Sequence, residues 1–314
     1  MLPLNNFPHS IMFHHFHSDK HPKGQGSIDE MQFETMLDWL SERYNLMGAH
    51  EFSEKVKSNT LKRKDICLSF DDALLCQYDI ARGILKRRSL SAFFFIYSSP
   101  FNGEPDYLEI FRFFRNVYFS DINSFYEEFF LLLHSDDPNI YKKERDRFEK
   151  ANYLEEFPFY TNEDRWFRYI RDIILDKDKY EKYMLSLMEK HSFDINTATQ
   201  KLWMTNKNIT DLHSDGHIIG LHSYNHPTAM GKLSFGEQEL EFEKNMQHLE
   251  SILGLRSVDS MSHPCGNYNE DTLNILRKMG IKIGFRSSIS TAEIKSDLEI
   301  PREDHANILK AMSL

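Results

Sequence analysis

Short apolar runs alternate with helix-period segments along most of this chain, and few folds are compatible with that rhythm. Runs of strand length occur at Ser10–Phe16, Asp65–Phe70, Leu90–Tyr97, His217–Leu221, Val258–Ser262, Ile281–Phe285 and Leu298–Pro301. Helical patterns separate most of them, the signature of βα units around a parallel sheet. The helices carry legible ends. Ser27 with Glu30 reads as a capping box ahead of Phe33, Leu37 and Leu40. Ser234 with Glu237 repeats the pattern, and that helix stops at Gly254. Asn269 opens a further helix through Leu273, Leu276 and Met279, closed by Gly280.

The rhythm breaks once. From about 101 to about 211 no segment reads as a strand, whereas Tyr107–Tyr118, Ser124–His134 and Trp166–Met188 run at helical period. More than half of the aromatic residues fall between 101 and 200. The spacing predicts a helical, aromatic-rich insertion at about 101–211 between the third and fourth strands. The remaining roughly 200 residues for seven βα units lie near the lower size of a βα barrel. The expectation is one α/β barrel domain over residues 1–314, interrupted by that insertion. Its stripes, Phe111, Phe114 and Tyr118 with Phe125, Phe129 and Phe130, read as core of the insertion or as a lid that stacks on sugar rings or touches a lipid carrier. Lys142, Lys143, Arg145 and Arg147 alternate with acids and read as a solvated helix face.

Composition narrows the function. A chain that is 40% hydrophobic and 27% charged is an ordinary folded protein, and its net charge of -10 argues against nucleic acid or an anionic membrane surface as partner. Three cysteines without a paired CxxC form neither a disulfide framework nor a thiolate zinc site, which suits a reducing compartment. The residues from Met1 to His9 lack a basic region and an apolar stretch of signal length, and no run of membrane-spanning length occurs. A cytoplasmic location with no membrane span is expected.

In βα barrels reactive groups gather at the C-terminal ends of strands. Asp71-Asp72 follows the second strand; one carboxylate can bind a metal while its neighbour stays free as a base, although an isolated pair also suits an Asx turn or cap. His222-Ser223-Tyr224-Asn225-His226 follows the fourth, and histidines four apart on one turn converge on one face. Alone, they are equally a capping histidine with a core or surface neighbour. After the fifth strand Pro264-Cys265-Gly266 makes a tight turn able to present a main-chain N–H to an oxyanion, or simply a turn.

Together, Asp-Asp, His-Ser-x-x-His-Pro and the Pro-Cys-Gly turn, in this order and at strand ends, resemble the polysaccharide deacetylase family, carbohydrate esterase family 4. The resemblance covers about residues 9–100 and 212–305. It implies a distorted seven-stranded (β/α) barrel, in agreement with the strand count. It further implies Asp72, His222 and His226 as ligands of one divalent ion, zinc first, with cobalt, nickel or manganese as alternatives. Such an ion with an open position lowers the pKa of bound water from ~15.7 towards ~7. By the same resemblance Asp71 is the base, the N–H of Cys265 holds the oxyanion, and a late histidine protonates the leaving amine.

Four features depart from the family pattern. Ala73 stands where a glycine is usual, Ser262 where an arginine is usual, and Cys265 where an aromatic is usual; the leucine–x–histidine–aspartate motif is absent. Arg302 is then the candidate partner of the base, and His305, the only histidine after the last strand, the candidate acid. The family often has Tyr-His where Phe13-His14 ends the first strand, so His14 either faces the site or sits at the rim. A second metal site from His15, His17 and His21 has no independent support, and Cys67 reads as inert core.

The function implied is a metal-dependent hydrolase that removes an acyl group, N-acetyl first, from an amino sugar. Its carbohydrate substrate is expected to be a nucleotide- or lipid-linked intermediate of surface polysaccharide synthesis. Hydrolysis of another carbon–nitrogen bond or of an O-acetyl ester is the enzymatic alternative, and a carbohydrate-binding pseudoenzyme the non-catalytic one.

Overall fold

The computed structural model describes residues 7–104, 106–154, 160–254, 258–289 and 293–313. The reading of the N-terminus falls largely on residues 1–6, outside that set. The chain divides into two compact units, Met1–Asp106 with Gln200–Leu314, and Tyr107–Thr199.

In the first unit eight strands form one sheet: β1 (His9–Phe13), β2 (Asn45–Leu46), β3 (Asp65–Phe70), β4 (Phe93–Ile96), β5 (Ile218–Leu221), β6 (Ser260–Ser262), β7 (Ile283–Phe285) and β8 (Arg302–Asp304). Seven run in the order β7-β6-β5-β4-β3-β1-β8, and the short β2 pairs with β3 off that path. The ladders are all parallel. Parallel neighbours need crossovers, and here α1 (Glu30–Arg43), α2 (Ala49–Lys57) and α3 (Arg82–Arg87) supply the first ones. After the inserted unit come α10 (Asn206–Ser214), α11 (Phe235–Leu253), α12 (Glu270–Lys278) and α13 (His305–Met312).

The sheet is a nearly closed barrel, the architecture that the strand count and the family resemblance implied. Residues 300–304 close it. Ile300 bridges Phe285 of β7, and Arg286 N–H donates to Ile300 O at 2.8 Å. The chain then passes to β1, pairing Ser10 with Arg302. The last strand therefore lies at Arg302–Asp304 rather than 298–301, because Pro301 has no N–H for a ladder and the chain changes partner there. Closure depends on Gly284, where a Cβ would fall 2.6 Å from Leu298 O. The first strand stops at Phe13 instead of Phe16, and β2 was too short to leave a period in the sequence.

Alternation sorts the strand residues. Phe13, Phe70 and Phe94 stack in one row, with Phe33 of α1 packed against Phe13 and Phe70. Cys67, Phe93, Phe95, Phe285 and Ile300 form a second buried cluster with Phe52 and Val56 of α2. Burying each such ring is worth about 1.5–3 kcal/mol, enough to overrule the polar company of Ser10, Ser69, Ser260, Ser262 and Arg302, which are also buried.

Capping follows expectation with one correction. Ser234 and Asn269 cap α11 and α12, and Gly254 turns left-handed after α11. At α1 the cap is Asp29 with Gln32, not Ser27 with Glu30. Ile28 is already bridged to Phe16, so Ser27 lies before the helix and its hydroxyl bonds Gly24 instead.

The second unit holds α4 (Tyr107–Tyr118), α5 (Ile122–Asp136), α6 (Pro138–Ala151), α7 (Asn162–Tyr169) and α8 (Lys177–Lys190), and α9 (Ile195–Leu202) crosses its end. The predicted run Trp166–Met188 is broken by a π-helical turn at Ile170–Ile174 and by Asp176, which caps α8. Phe111, Phe114, Phe125, Phe129, Phe130, Trp166 and Phe167 are buried here, so the aromatic stripes are the core of this unit except at Tyr118, which is exposed. Lys142, Lys143 and Arg147 are exposed, whereas Arg145 lies over the Trp166 ring at 5.1 Å.

Candidate metal centre

Beyond β3 the chain keeps its ladder for one residue, Asp71 N–H donating to Phe13 O at 3.1 Å. It then turns through Asp72 and Ala73 at φ 76° and 55°. A left-handed backbone costs a non-glycine residue about 1–2 kcal/mol and persists only where the surroundings over-determine it. Here it throws two consecutive carboxylates in different directions. Gln77 Nε2 holds the bend by donating to Asp71 O at 2.6 Å and His14 O at 2.8 Å.

Asp72 turns towards the loop after β5. His222 Nδ1 in that loop donates to Ser262 O at the end of β6 at 2.9 Å, which in the neutral ring leaves Nε2 as the acceptor. His222 Nε2 lies 3.4 Å from Asp72 Oδ1, and His226 Nε2 lies 3.5 Å from the same oxygen. Both rings are largely buried and 4.8 Å apart. The three ligand atoms lie within 4.8 Å of one another, and this is the single such group among the described residues. Asp72 Oδ1 is buried without a hydrogen-bond partner. A shielded carboxylate oxygen facing two imidazole nitrogens is unfavourable unless something positive joins them. One carboxylate and two imidazoles suit a first-row divalent ion such as zinc.

The electrostatics favour a charged Asp72 and a neutral His226. Burial opposes ionisation of Asp72, but His226, His222 and His14 outweigh it and hold the carboxyl well below the usual range. Burial pushes His226 down to about 4 against the pull of Asp72, so its imidazole is neutral at pH 7, as a ligand must be. Burial also opposes a charge on His222, yet Asp71 and Asp72 raise its pKa.

Asp71 points into the barrel. Arg302 Nη1 donates to Asp71 Oδ1 at 2.7 Å, and Ser262 Oγ lies 3.4 Å from Oδ2. The free side of Oδ2 faces His222 Nε2 at 3.8 Å and His14 Nε2 at 3.9 Å. Burial works against this charge too, but Arg302, His222 and His14 keep the carboxyl below its ordinary value. Arg302 is itself held by Nε donating to Arg286 O at 2.6 Å. It thus stands beside Asp71, where Ser262 cannot supply a charge.

Cys265 sits at φ 51° between Pro264 and Gly266. A Cβ on Gly266 would meet Ser287 Oγ at 2.0 Å, so the turn requires glycine there. The thiol reaches solvent, but desolvation and then Asp72, Asp106 and Asp71 push it up to about 12, so it stays protonated.

His305 lies elsewhere. Its Nε2 bonds Gly26 O at 2.8 Å, its Nδ1 is 3.3 Å from Met12 O, and its ring stacks on Phe13. Among the described residues it makes no contact with Asp71, Asp72, His222 or His226. Its position after β8 starts α13, and that turn carries the side chain to the outer face of β1. His14 is brought to the centre instead: its Nε2 lies 3.9 Å from both Asp71 Oδ2 and Asp72 Oδ2, with the side chain 29% exposed. His17 and His21 are occupied by Ser27 and Asp79.

Three neighbours escaped the sequence reading. Tyr97 packs its ring 5.3 Å from His226 and accepts from Trp203 Nε1 at 2.7 Å. Asp106 lies 4.0 Å from His226 Nδ1. Tyr97 ends an apolar run and could have been flagged by the strand-end rule; Trp203 and Asp106 fall inside the stretch read as the insertion and carry no such signal.

Comparison with known proteins bears on the family and the fold. Residues 175–284 match the family model for polysaccharide deacetylase, a stretch that includes both histidines and the Pro264 turn but not the two aspartates. A 100-residue segment is 28% identical to the uncharacterized protein YlxY of Bacillus subtilis, covering 31% of each chain, so the match spans about a third of that relative's length. The fold is shared with the Streptococcus pyogenes deacetylase PplD, solved with acetate, at 15% identity and TM-score 0.55, covering 98% of this chain and 97% of that one. IcaB from Ammonifex degensii gives 13% identity and TM-score 0.58, covering 98% and 96%. A de-N-acetylase from Aggregatibacter actinomycetemcomitans gives 13% identity and TM-score 0.52, covering 94% of this chain and 93% of that one. The resemblance read from the motifs is thereby shown: the matched family model is that of polysaccharide deacetylase, and the fold is shared with proteins named a deacetylase and a de-N-acetylase.

Proposed function

We propose that this protein is a metal-dependent hydrolase that removes an N-acetyl group from an amino sugar. The observation that carries the reading is Asp72 Oδ1, buried without a partner between His222 Nε2 and His226 Nε2, with the ionised Asp71 alongside. Asp72, His222 and His226 would hold a divalent ion, which would supply Lewis-acid polarisation and acidified water. The N-acetyl preference is supported by the de-N-acetylase that shares the fold.

The chain's own groups then divide the work. Asp71 Oδ2 takes the proton of the attacking water, while Arg302 keeps Oδ1 and fixes the carboxylate plane. The N–H of Cys265 is the oxyanion donor; losing one such donor typically costs ~2.7–4 kcal/mol of barrier. As the C–N bond breaks, the leaving amine takes a proton from His14, which replaces His305 in that role because it lies beside both aspartates. Water and amide are consumed, and acetate and amine are formed.

The test combines metal analysis with acetate release from free, nucleotide-linked and polymeric N-acetylated amino sugars. One ion per chain and chelator-sensitive release are expected. Asp71→Asn should retain the ion and lose at least ~10³-fold in turnover, whereas Asp72→Asn and His226→Ala should lose both. No ion after reconstitution with zinc or cobalt would remove the reading.

A further inference from the structure

Ser223 and His226 both have left-handed backbones, at φ 65° and 53°, in the loop that must deliver two histidines to one point. Non-glycine residues hold this conformation only where their neighbours force it. The loop's own contribution is small: His226 N–H donates to Ser223 Oγ at 3.1 Å. The forcing comes from one face of α11. Glu241 Oε2 accepts from the main-chain N–H groups of Tyr224 at 3.1 Å and Asn225 at 2.7 Å, and its Oε1 accepts from Asn225 Nδ2 at 2.7 Å. One turn further along the same face, the fully buried Asn245 accepts from His222 N–H at 2.9 Å. Its Nδ2 donates to Ile96 O at 2.9 Å and Ser98 Oγ at 2.6 Å. Lys244, between the two, covers the Tyr224 ring at 4.9 Å.

We propose that Glu241 and Asn245 are positioning residues of the metal centre, a two-point clamp that holds the His222–His226 loop in the shape in which both Nε2 atoms face Asp72. The proposal rests on the metal reading given above. Asn245 ties the main chain at the first ligand to the ends of β4 and β5. Glu241 satisfies two of the three N–H groups between the ligands, those of Tyr224 and Asn225, and so keeps the loop from relaxing to right-handed angles that would swing His226 away. Neither side chain is a ligand; both act through the backbone.

The experiment is a Zn²⁺ titration of the whole chain against a competing chelating dye, with the melting temperature of the metal-free protein measured on the same samples. Glu241→Ala should weaken the zinc Kd by about 10–100-fold, the range seen when groups that orient ligands are removed, with little change in the metal-free melting temperature. Glu241→Gln should stay within about threefold, because its amide oxygen still accepts both N–H groups while the Asn225 amide turns over. Should Glu241→Ala fail to fold, Glu241→Leu, which keeps helix propensity and volume, carries the same expectation. If the wild-type chain binds no zinc, the metal reading fails and the clamp with it. If the wild type binds and Glu241→Ala binds equally well, the clamp alone is overturned. Equal weakening by Ala and Gln would mean that charge, not positioning, is what Glu241 supplies, and would also overturn it.

Discussion

Asp71 and Arg302 stand 231 residues apart in the chain and 2.7 Å apart in space, joined through Oδ1 and Nη1 with both side chains buried. The sheet order explains the meeting: β1 lies between β3 and β8, its Ser10 is paired with Cys67 on one side and Arg302 on the other, and the long Arg302 side chain reaches from that level past Ser69 to Asp71. The pair gives the carboxylate proposed as the base a fixed plane and a fixed counter-charge.

Removing Arg302 should therefore act on stability and on the pH profile together. Arg302→Met leaves a buried carboxylate unpaired, which costs about 3–5 kcal/mol. The carboxyl of Asp71, now without its main counter-charge, should titrate higher, and the acid limb of kcat/KM should move towards neutral pH. Urea unfolding and a pH–rate profile check both. In the double variant Asp71→Asn/Arg302→Met stability should largely return, because the uncompensated charge is gone.

His14 and His305 should separate cleanly. His14→Gln is expected to slow amide hydrolysis by about 10²–10⁴-fold, the usual contribution of a general acid, and to slow a matched O-acetyl ester far less, because an alcohol leaves more readily than an amine. His305→Gln should leave kcat within a few-fold and lower the melting temperature, since its ring anchors Gly26, Met12 and Phe13. A larger catalytic loss from His305 than from His14 would reverse the assignment.

Ala73 occupies a left-handed position at φ 55° where the family pattern has glycine. Ala73→Gly removes about 1 kcal/mol of backbone strain, without loss of the main-chain bond from Met204 N–H to residue 73 O. A rise in melting temperature with unchanged activity is the expected outcome. A fall would show that the buried methyl group matters more than the strain.

Acid should unfold this protein through buried histidines to which no step of the reaction is assigned. Burial holds His9 and His263 at about 4, below the 6.5 of the unfolded chain. Between those values the unfolded state binds the extra protons, so stability rises with pH and is lost as pH falls from 6.5 towards 4. Each residue contributes about 1.4 kcal/mol per pH unit in that window. Denaturant unfolding between pH 4 and 7 should show this slope, and His263→Gln, which keeps a donor for Leu298 O, should reduce it by one proton.

The barrel was readable because strands and helices are written as local periods. Apolar runs of four to six residues survive in any context that buries them, and the caps at Ser234 and Asn269 act within three residues. Strand ends were less legible at Phe13 and Pro301, since those limits depend on which neighbour has a free edge. Ser27 looked like a cap because the pattern fits, but the bridge between Phe16 and Ile28 decides where α1 begins.

The same division runs through the site. Asp71, Asp72, His222 and His226 were legible, because each lies directly after a strand and a barrel brings strand ends together whatever its details. Arg302 could be named as a candidate from its neighbouring strand end, yet only the parallel pairing of β8 with β1 aims it at Asp71. His305 against His14, and the hold of Glu241 and Asn245 on the histidine loop, had no local signature. Those choices depend on side-chain direction and on contacts between distant segments. Periodicity determines which residues are buried and in which element they lie. Packing alone determines which way a titratable group points once it is there.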